Sequence, residues 1–172
     1  MIVGNGDIAS VLPDKKNRLF FASGVSNSQE KRESEYMREK ILLLKQDRKS
    51  HIVYFSSLAV LYGDTRYVRH KQEMESLIKL EFPRYTIMRL GNITWGTNPH
   101  TLINFFRRQL KAGKPIEIKN TYRYIIDKDE FLHWLNLIPD WNCEMNITGR
   151  RMKVKEIVDE YCYVGQGVRR NA

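Results

Sequence analysis

The chain has 172 residues, of which 42% are hydrophobic and 28% are charged, and its formal net charge is +9. This length suits one domain with a real core, or a core with a small lobe, and no apolar stretch is long enough to span a membrane. The N-terminus has no signal-peptide pattern, and Cys143 and Cys162 form no metal motif, which favours a cytoplasmic protein with reduced thiols. The four histidines also lack metal-ligand spacing. The positive charge would suit nucleic acid or a phosphate-rich ligand, but the basic residues are dispersed, and a solvated surface explains them more simply.

The first motif is a glycine turn. Residues Gly4-Asn5-Gly6-Asp7-Ile8-Ala9 follow a short apolar start and precede a short helix that Pro13 ends. This order matches G-x-G-x-x-A, in which glycines let the backbone approach a pyrophosphate and a helix N-terminus supplies amide donors. Asp7 would add a negative charge beside that anion. A plain glycine turn is the alternative interpretation.

Strands and helices then alternate. The pattern predicts a strand at Arg18–Ala22, a helix at Ser34–Arg48, a strand at Ile52–Phe55, a helix from Tyr67 to Leu80 and a strand at Tyr85–Leu90. The apolar positions predict the buried stripes of the two helices, which are Met37, Ile41 and Leu44 in the first and Met74, Leu77 and Ile78 in the second. Such alternation favours a parallel sheet with helices on both faces. Four candidate site residues then follow strand ends, where such sheets bind ligands: Gly4, Ser23, Ser57 and Gly91.

The pattern changes after Gly96, which suggests a core over residues 1–96 and a small lobe over residues 97–172. The lobe is predicted to contain helices at Leu102–Ala112 and Lys155–Tyr163, and a helix that Asp129 caps and that runs to Leu137. Extended segments are expected at Pro115–Ile118, Tyr124–Ile126 and Met145–Ile147, and Gly165–Ala172 should be frayed.

Tyr67 and Lys71 carry the chemistry. A spacing of four residues puts them on one face of a helix, ten residues after Ser57. A phenol has an unperturbed pKa of about 10, and a nearby ammonium lowers it toward neutral pH. A serine at a strand end could hold a substrate oxygen beside that phenol. Taken alone, the spacing would equally fit a half-buried tyrosine and a solvated lysine.

With this order of motifs, the chain resembles an extended short-chain dehydrogenase/reductase, the group of NAD-dependent epimerases and dehydratases that act on nucleotide sugars. The segments that carry the resemblance are Val-Gly-Asn-Gly-Asp-Ile-Ala-Ser, Leu-Phe-Phe-Ala-Ser-Gly, Val-Tyr-Phe-Ser-Ser, Tyr-Val-Arg-His-Lys and Met-Arg-Leu-Gly-Asn-Ile-Thr-Trp-Gly. It implies a truncated Rossmann-like, doubly wound parallel sheet with a small C-terminal substrate lobe.

The resemblance also implies roles for particular residues. Tyr67 would be the general acid/base, Lys71 would tune it and bind the nicotinamide ribose, and Ser57 or Ser56 would hold the reacting oxygen. NAD or NADP would lie against the glycine turn and the loop after the second strand, and Arg89 and Asn92 would contact the substrate. The implied cofactor residues are Gly4, Asn5, Gly6, Asp7, Ile8, Ala9, Ala22, Ser23, Gly24 and Lys71. A homodimer through helices 34–48 and 67–80 is also expected.

One departure from the family pattern keeps two functions open. Only about a dozen residues separate the glycine turn from the strand at Arg18, so the strands that would bind the adenosine ribose are missing. The leading hypothesis is an NAD(P)-dependent epimerase, dehydratase or reductase acting on a nucleotide-linked sugar. The alternative is a non-catalytic binding or regulatory module that has kept the scaffold and lost the adenosine pocket.

Overall fold

The computed structural model describes residues 1–14 and 17–163. Its main sheet has five strands, all parallel, in the order β1-β2-β3-β4-β7. The strands are β1 (Ile2–Val3), β2 (Arg18–Phe21), β3 (His51–Ser57), β4 (Tyr85–Leu90) and β7 (Cys143–Ile147). A second sheet of three strands, in the order β5-β6-β8, contains β5 (Asn92–Ile93), β6 (Tyr122–Ile126) and β8 (Arg150–Lys153).

Helices cover both faces of the main sheet. The described residues form five α-helices, which are α1 (Glu33–Leu44), α2 (Arg66–Glu81), α3 (Leu102–Lys111), α4 (Lys128–Asn136) and α5 (Val154–Tyr161). Because neighbouring side chains of a strand point to opposite faces, Tyr54 packs with Met74 of α2, whereas Phe55 packs with Phe131 of α4. The doubly wound parallel architecture expected from the sequence is therefore confirmed.

The buried stripe of α1 differs from the predicted one. Tyr36, Glu39 and Leu43 face the core and are at most 1% exposed, whereas the predicted core residues Met37, Ile41 and Leu44 are 55%, 46% and 38% exposed. The helix is rotated so that the Tyr36 ring and the Glu39 carboxylate meet buried partners on α2 and β3. In α2 the predicted stripe is confirmed, since Met74 and Ile78 are fully buried and Leu77 packs against the same cluster.

The small sheet packs on α3 and α5 through a separate apolar cluster around Ile103, Phe106 and Ile157. The predicted strand at Pro115–Ile118 is wrong, because residues 114–119 have no regular structure and pair with no strand edge. The cap of α4 is also corrected: the Asp127 side chain, not that of Asp129, accepts the Glu130 amide proton at 2.9 Å. The expected fraying at Gly165–Ala172 lies outside the described residues.

The chain passes between the two sheets more than once. Strand β5 lies before residue 96 but belongs to the small sheet, and β7 lies after it but joins the main sheet. Phe131 and Leu135 of α4 also belong to the cluster that covers the main sheet. The division into domains 1–96 and 97–172 stays a prediction about independent units.

Candidate active site

The glycine turn lies directly against the loop that follows β2. Gly4 has φ +125°, and a side chain there would collide with the carbonyl of Ala22, so a glycine is required at this position. The Ala22 amide donates to the Val3 carbonyl at 2.8 Å. Gly4 thus lies against Ala22 and Ser23 at the carboxyl edge of the parallel sheet. That residues 4–8 and 22–24 bind a cofactor stays a prediction. After the turn, the chain forms a single 3₁₀ turn at Ala9–Val11, where a longer helix would be needed to provide an N-terminal anion site.

Asp7 binds the protein's own backbone. Its carboxylate accepts hydrogen bonds from the amides of Thr97 and Asn98 at 2.9 and 3.0 Å, and the Trp95 indole donates to its carbonyl at 3.1 Å. Gly96, with φ +90°, lets this loop pass close to the Asp7 side chain. The charge that seemed unfavourable in the sequence therefore ties the glycine turn to the loop after β5.

Lys71 belongs to a buried polar cluster, here called the Glu39 cluster. Its Nζ donates to Glu39 Oε1 at 3.1 Å and to the Tyr54 hydroxyl at 2.9 Å. Tyr54 donates to the same Glu39 oxygen at 2.7 Å. The other carboxylate oxygen, Oε2, accepts from the Val25 amide at 2.6 Å and pairs with His70 Nε2 at 2.9 Å. The side chains of Lys71 and Glu39 are only 3% and 0% exposed.

The cluster fixes the ionisation of its acidic groups. Burial alone would raise the pKa of Glu39, but the Lys71 ammonium and hydrogen bonds from His70, Val25 and Tyr54 outweigh it and lower that pKa to about 2. Burial, together with the charge and hydrogen bond of Glu39, raises the pKa of Tyr54 well above its usual value. At neutral pH Glu39 is therefore an anion, and Tyr54 keeps the proton that it donates.

Tyr67 lies beside this cluster. It is half-buried in the first turn of α2, and its ring centroid lies 5.8 Å from Lys71 Nζ. The helix starts there because the Thr65 hydroxyl accepts the Val68 amide proton at 3.2 Å. Tyr67 and Lys71 do share a face of α2, but the phenol that Lys71 contacts directly is that of Tyr54.

The two candidate serines point to opposite faces of the sheet. Ser56 is buried on the α2 side and donates to Glu75 Oε1 at 2.6 Å. Ser57, the last residue of β3, is half-buried, and its hydroxyl accepts the Ala59 amide proton at 3.2 Å. Of the two, Ser57 has the hydroxyl that a ligand could reach.

The two predicted substrate residues already have partners in the protein. The Arg89 guanidinium forms a two-pronged ion pair with Glu75, which is 5% exposed, and also pairs with Glu144 of β7. The Asn92 side chain donates to the Tyr124 carbonyl at 3.1 Å and so joins β5 to β6. Their contact with a substrate stays a prediction.

Sequence reasoning missed Glu39 and Tyr54. The available signal was weak: Glu39 lies at helical spacing between Tyr36 and Leu43, and Tyr54 lies in an otherwise apolar strand. In the described part of the chain, no group of three His, Cys, Asp or Glu side chains could hold a metal ion. None of the described helices has the length and apolar character needed to cross a membrane.

The chain is similar to known proteins in its three-dimensional structure but not detectably in its sequence. No protein-family model and no curated protein sequence matches the chain. Among solved structures, Bordetella bronchiseptica WbmG in complex with NAD and UDP has a TM-score of 0.64 at 18% identity, with 89% of this chain and 58% of that one covered. The Thermus thermophilus UDP-glucose 4-epimerase complex with NAD gives a TM-score of 0.62 at 14% identity, with 83% of this chain and 60% of that one covered. This chain has the fold of both structures.

A reductase has the same architecture. The dTDP-4-dehydrorhamnose reductase of Bacillus anthracis, in complex with NADP, gives a TM-score of 0.59 at 13% identity, with 83% of this chain and 61% of that one covered. This chain therefore spans less than two thirds of the length of these three structures. The Rossmann-like fold expected from the motifs is confirmed.

Proposed function

We propose that this protein binds NAD or NADP and a nucleotide-linked sugar and acts as an epimerase, dehydratase or reductase. The observation that carries the proposal is the meeting of the glycine turn, the Ala22–Gly24 loop, Ser57 and the first turn of α2 at one edge of a parallel sheet. Ligands of open parallel sheets bind at that edge. The same fold in NAD and NADP complexes of sugar-modifying enzymes supports it.

The glycine turn and the loop after β2 would suit the nicotinamide half of a dinucleotide but not its adenosine half. Gly4 to Ile8 and Ala22 to Gly24 would hold the pyrophosphate and the nicotinamide half through their backbone alone, because the 3₁₀ turn at Ala9–Val11 supplies no helix N-terminus for the anion. The bound nicotinamide would supply hydride transfer. In the described chain, only residues 4–17 join β1 to β2, so no strand stands where the adenosine ribose would bind. We therefore expect weak affinity and little discrimination between NAD and NADP.

In the chemical step, Tyr67 would exchange the proton of the sugar hydroxyl, and the Ser57 hydroxyl would hold the same oxygen. The test is turnover of UDP-linked hexoses by the parent protein and by Tyr67→Phe, with NADH and NADPH binding followed by fluorescence. Tyr67→Phe should lose turnover and keep its fold and cofactor binding. Tyr85→Phe, at the opposite end of the sheet, is the matched control and should behave as the parent. Equal turnover in the parent and Tyr67→Phe would contradict the assignment.

A second candidate function is a non-catalytic binding module. The observation that favours it is the commitment of Lys71 to Glu39 and Tyr54, which leaves Tyr67 without a free ammonium beside it. The same titrations separate the two functions. Saturable binding without turnover in the parent protein would favour the module, and turnover that depends on Tyr67 would favour the enzyme.

We further propose a homodimer through the outer faces of α1 and α2. These helices are held side by side by the ion pairs Lys40–Glu73 and Arg66–Glu33, and Arg48, four residues after the end of α1, pairs with Glu81 of α2. Their outer faces expose Met37, Ile41, Leu44 and Leu80, the last at 80%. A charge in such an apolar face should prevent association. Ile41→Glu should therefore be a monomer by light scattering where the parent is a dimer. Lys119→Glu, in the exposed irregular segment away from α1 and α2, is the control and should remain a dimer.

A further inference from the structure

Positive charge without acidic partners is concentrated on α3 and the small sheet. Between Leu102 and Ile126 the only acidic residue is Glu117, and the strand Arg150–Lys153 contains none. Every lysine and arginine of α1 and α2, in contrast, pairs with a carboxylate. In the described part of the chain, the exposed basic side chains of these two segments that form neither an ion pair nor a hydrogen bond within the protein are Arg108, Lys111, Lys114, Lys119, Arg151 and Lys153. Charges that look dispersed in the sequence are thus gathered on one part of the molecule, where they attract anions.

Two strands of the small sheet place aromatic and basic side chains on one face. In the antiparallel pair of β6 and β8, Tyr122 lies opposite Lys153 and Tyr124 lies opposite Arg151. Opposite residues, and residues two apart along a strand, share a face of the sheet. The other face, which includes Met152, packs on α3 and α5. The four side chains of β6 and β8 on the first face are here called the basic sheet face.

The Tyr122 ring is the exposed aromatic surface of this face. It is 43% exposed, the Arg151 guanidinium carbon lies 3.8 Å from its centroid, and Lys153 Nζ lies 5.9 Å from it. A guanidinium at this distance packs on the ring. Arg151 is itself exposed, so a flat ligand can pack on the outer side of its guanidinium while Lys153 meets a neighbouring negative charge.

The chain between α3 and β6 continues the positive charge up to this face. Ile116 packs with Leu110 on the apolar cluster of the small sheet, so the segment stays on this part of the molecule. Its end is fixed because the Thr121 carbonyl accepts the Val154 amide proton at 2.9 Å. Lys119 therefore lies near the start of β6, in line with the basic sheet face.

We propose that the basic sheet face, together with the exposed cations between α3 and β6, binds single-stranded nucleic acid. Lysine and arginine side chains neutralise its phosphates, and an unstacked base packs against Tyr122 and Arg151. Aromatic rings on an open sheet face are a stacking surface for single strands, whereas the bases of a duplex are already stacked on one another. The inference goes beyond the proposed function, because Tyr122 lies at the end of β6 away from the residues that pair with β5.

The test follows the fluorescence anisotropy of a labelled oligouridine of about 15 nucleotides, titrated with the whole protein. Binding should be saturable and should weaken steeply between about 50 and 200 mM salt. Tyr122→Leu removes the ring and should raise the Kd of the single strand about tenfold, without changing the Kd of a duplex of the same length. Tyr122→Phe keeps the ring and should bind as the parent does.

A pair of charge variants separates a local site from the overall charge of the protein. Arg151→Gln/Lys153→Gln should make the slope of log K against log salt less negative by about 1.4, which corresponds to two phosphate contacts. The control Lys31→Gln/Lys49→Gln removes the same charge from exposed positions outside the small sheet and should change that slope little.

Circular dichroism shows which variants are folded, and if Tyr122→Leu is not, the two charge variants decide the outcome. No binding at low salt, equal losses in both charge variants, or equal binding by folded Tyr122→Leu and Tyr122→Phe would overturn the proposal. Displacement of the oligouridine by excess UDP-glucose or NAD would also overturn it, because the strand would then occupy the proposed active site. Since the test uses no turnover, it can fail while the proposed function stands, and the reverse.

Discussion

Removing the Lys71 ammonium should destabilise the protein strongly, even though Lys71 was first identified as a candidate site residue. In Lys71→Met the apolar stem is retained, so the cavity left behind is small. The main cost is the buried Glu39 carboxylate, which loses the ammonium group that contacts its Oε1 atom. Breaking a buried ion pair from one side costs about 3–5 kcal/mol of the free energy of unfolding. For a chain of this size, that is a fall in Tm of roughly 6–20 °C.

The double variant separates the ion pair from general packing. Glu39→Gln alone leaves the Lys71 ammonium uncompensated and should cost a similar amount. Glu39→Gln/Lys71→Met leaves no unpaired charge and should cost less than the sum of the two by about 3 kcal/mol. Urea denaturation of the four proteins at pH 7, followed by tryptophan fluorescence and circular dichroism, measures this difference. The buried Lys71–Glu39 ion pair would be contradicted if Lys71→Met lowered the free energy of unfolding by less than about 1 kcal/mol and the effects of Lys71→Met and Glu39→Gln were additive.

Three other predictions concern the same helices and their neighbours. The pKa of Glu39 falls from 4.5 to about 2 when the protein folds. The ionised carboxylate therefore contributes about 3 kcal/mol to the free energy of unfolding above pH 4.5, and this contribution is lost as the pH falls toward 2. Urea midpoints measured from pH 7 to 3 should fall more steeply in the parent than in Glu39→Gln, and parallel curves would contradict this. Arg89→Met leaves the Glu75 carboxylate buried without its cation and should cost about 3 kcal/mol, and loss of ligand binding with unchanged urea stability would instead favour a substrate role. Gly24→Ala should push a methyl group against the Lys71–Glu39 pair and lower the urea midpoint, whereas an unchanged midpoint would show that the loop has room to move.

Local patterns predicted the elements that have strong apolar periodicity. Strand β4 begins and ends where the sequence placed it, and α2 differs by one residue at each end. Strand β8, Arg-Arg-Met-Lys, was missed because it has one apolar residue and is stabilised by its antiparallel pairing with β6. Pro115–Ile118 alternates like a strand but is not one, because an alternating pattern becomes a strand only when a sheet edge is available to pair with it.

The candidate site was predictable only at the level of position. The spacing of Tyr67 and Lys71 correctly placed both on one helical face. That the ammonium is paired with Glu39 could not be foreseen, because Glu39 lies on another helix and its register depends on tertiary packing. The apolar residues of α1 gave the opposite register, with Met37 inward, because the sequence pattern does not distinguish a core face from a face that another chain could cover.

The order of the main sheet has a consequence for synthesis on the ribosome. Strand β7 pairs with β4, yet more than fifty residues separate the end of one from the start of the other. At about 5–20 residues per second, translation leaves the outer edge of β4 unpaired for several seconds. An unpaired strand edge is a template for pairing with other chains. Chaperone dependence and losses to aggregation during expression should therefore arise in this interval, and they should respond to slower translation of residues 91–142 more than to changes elsewhere.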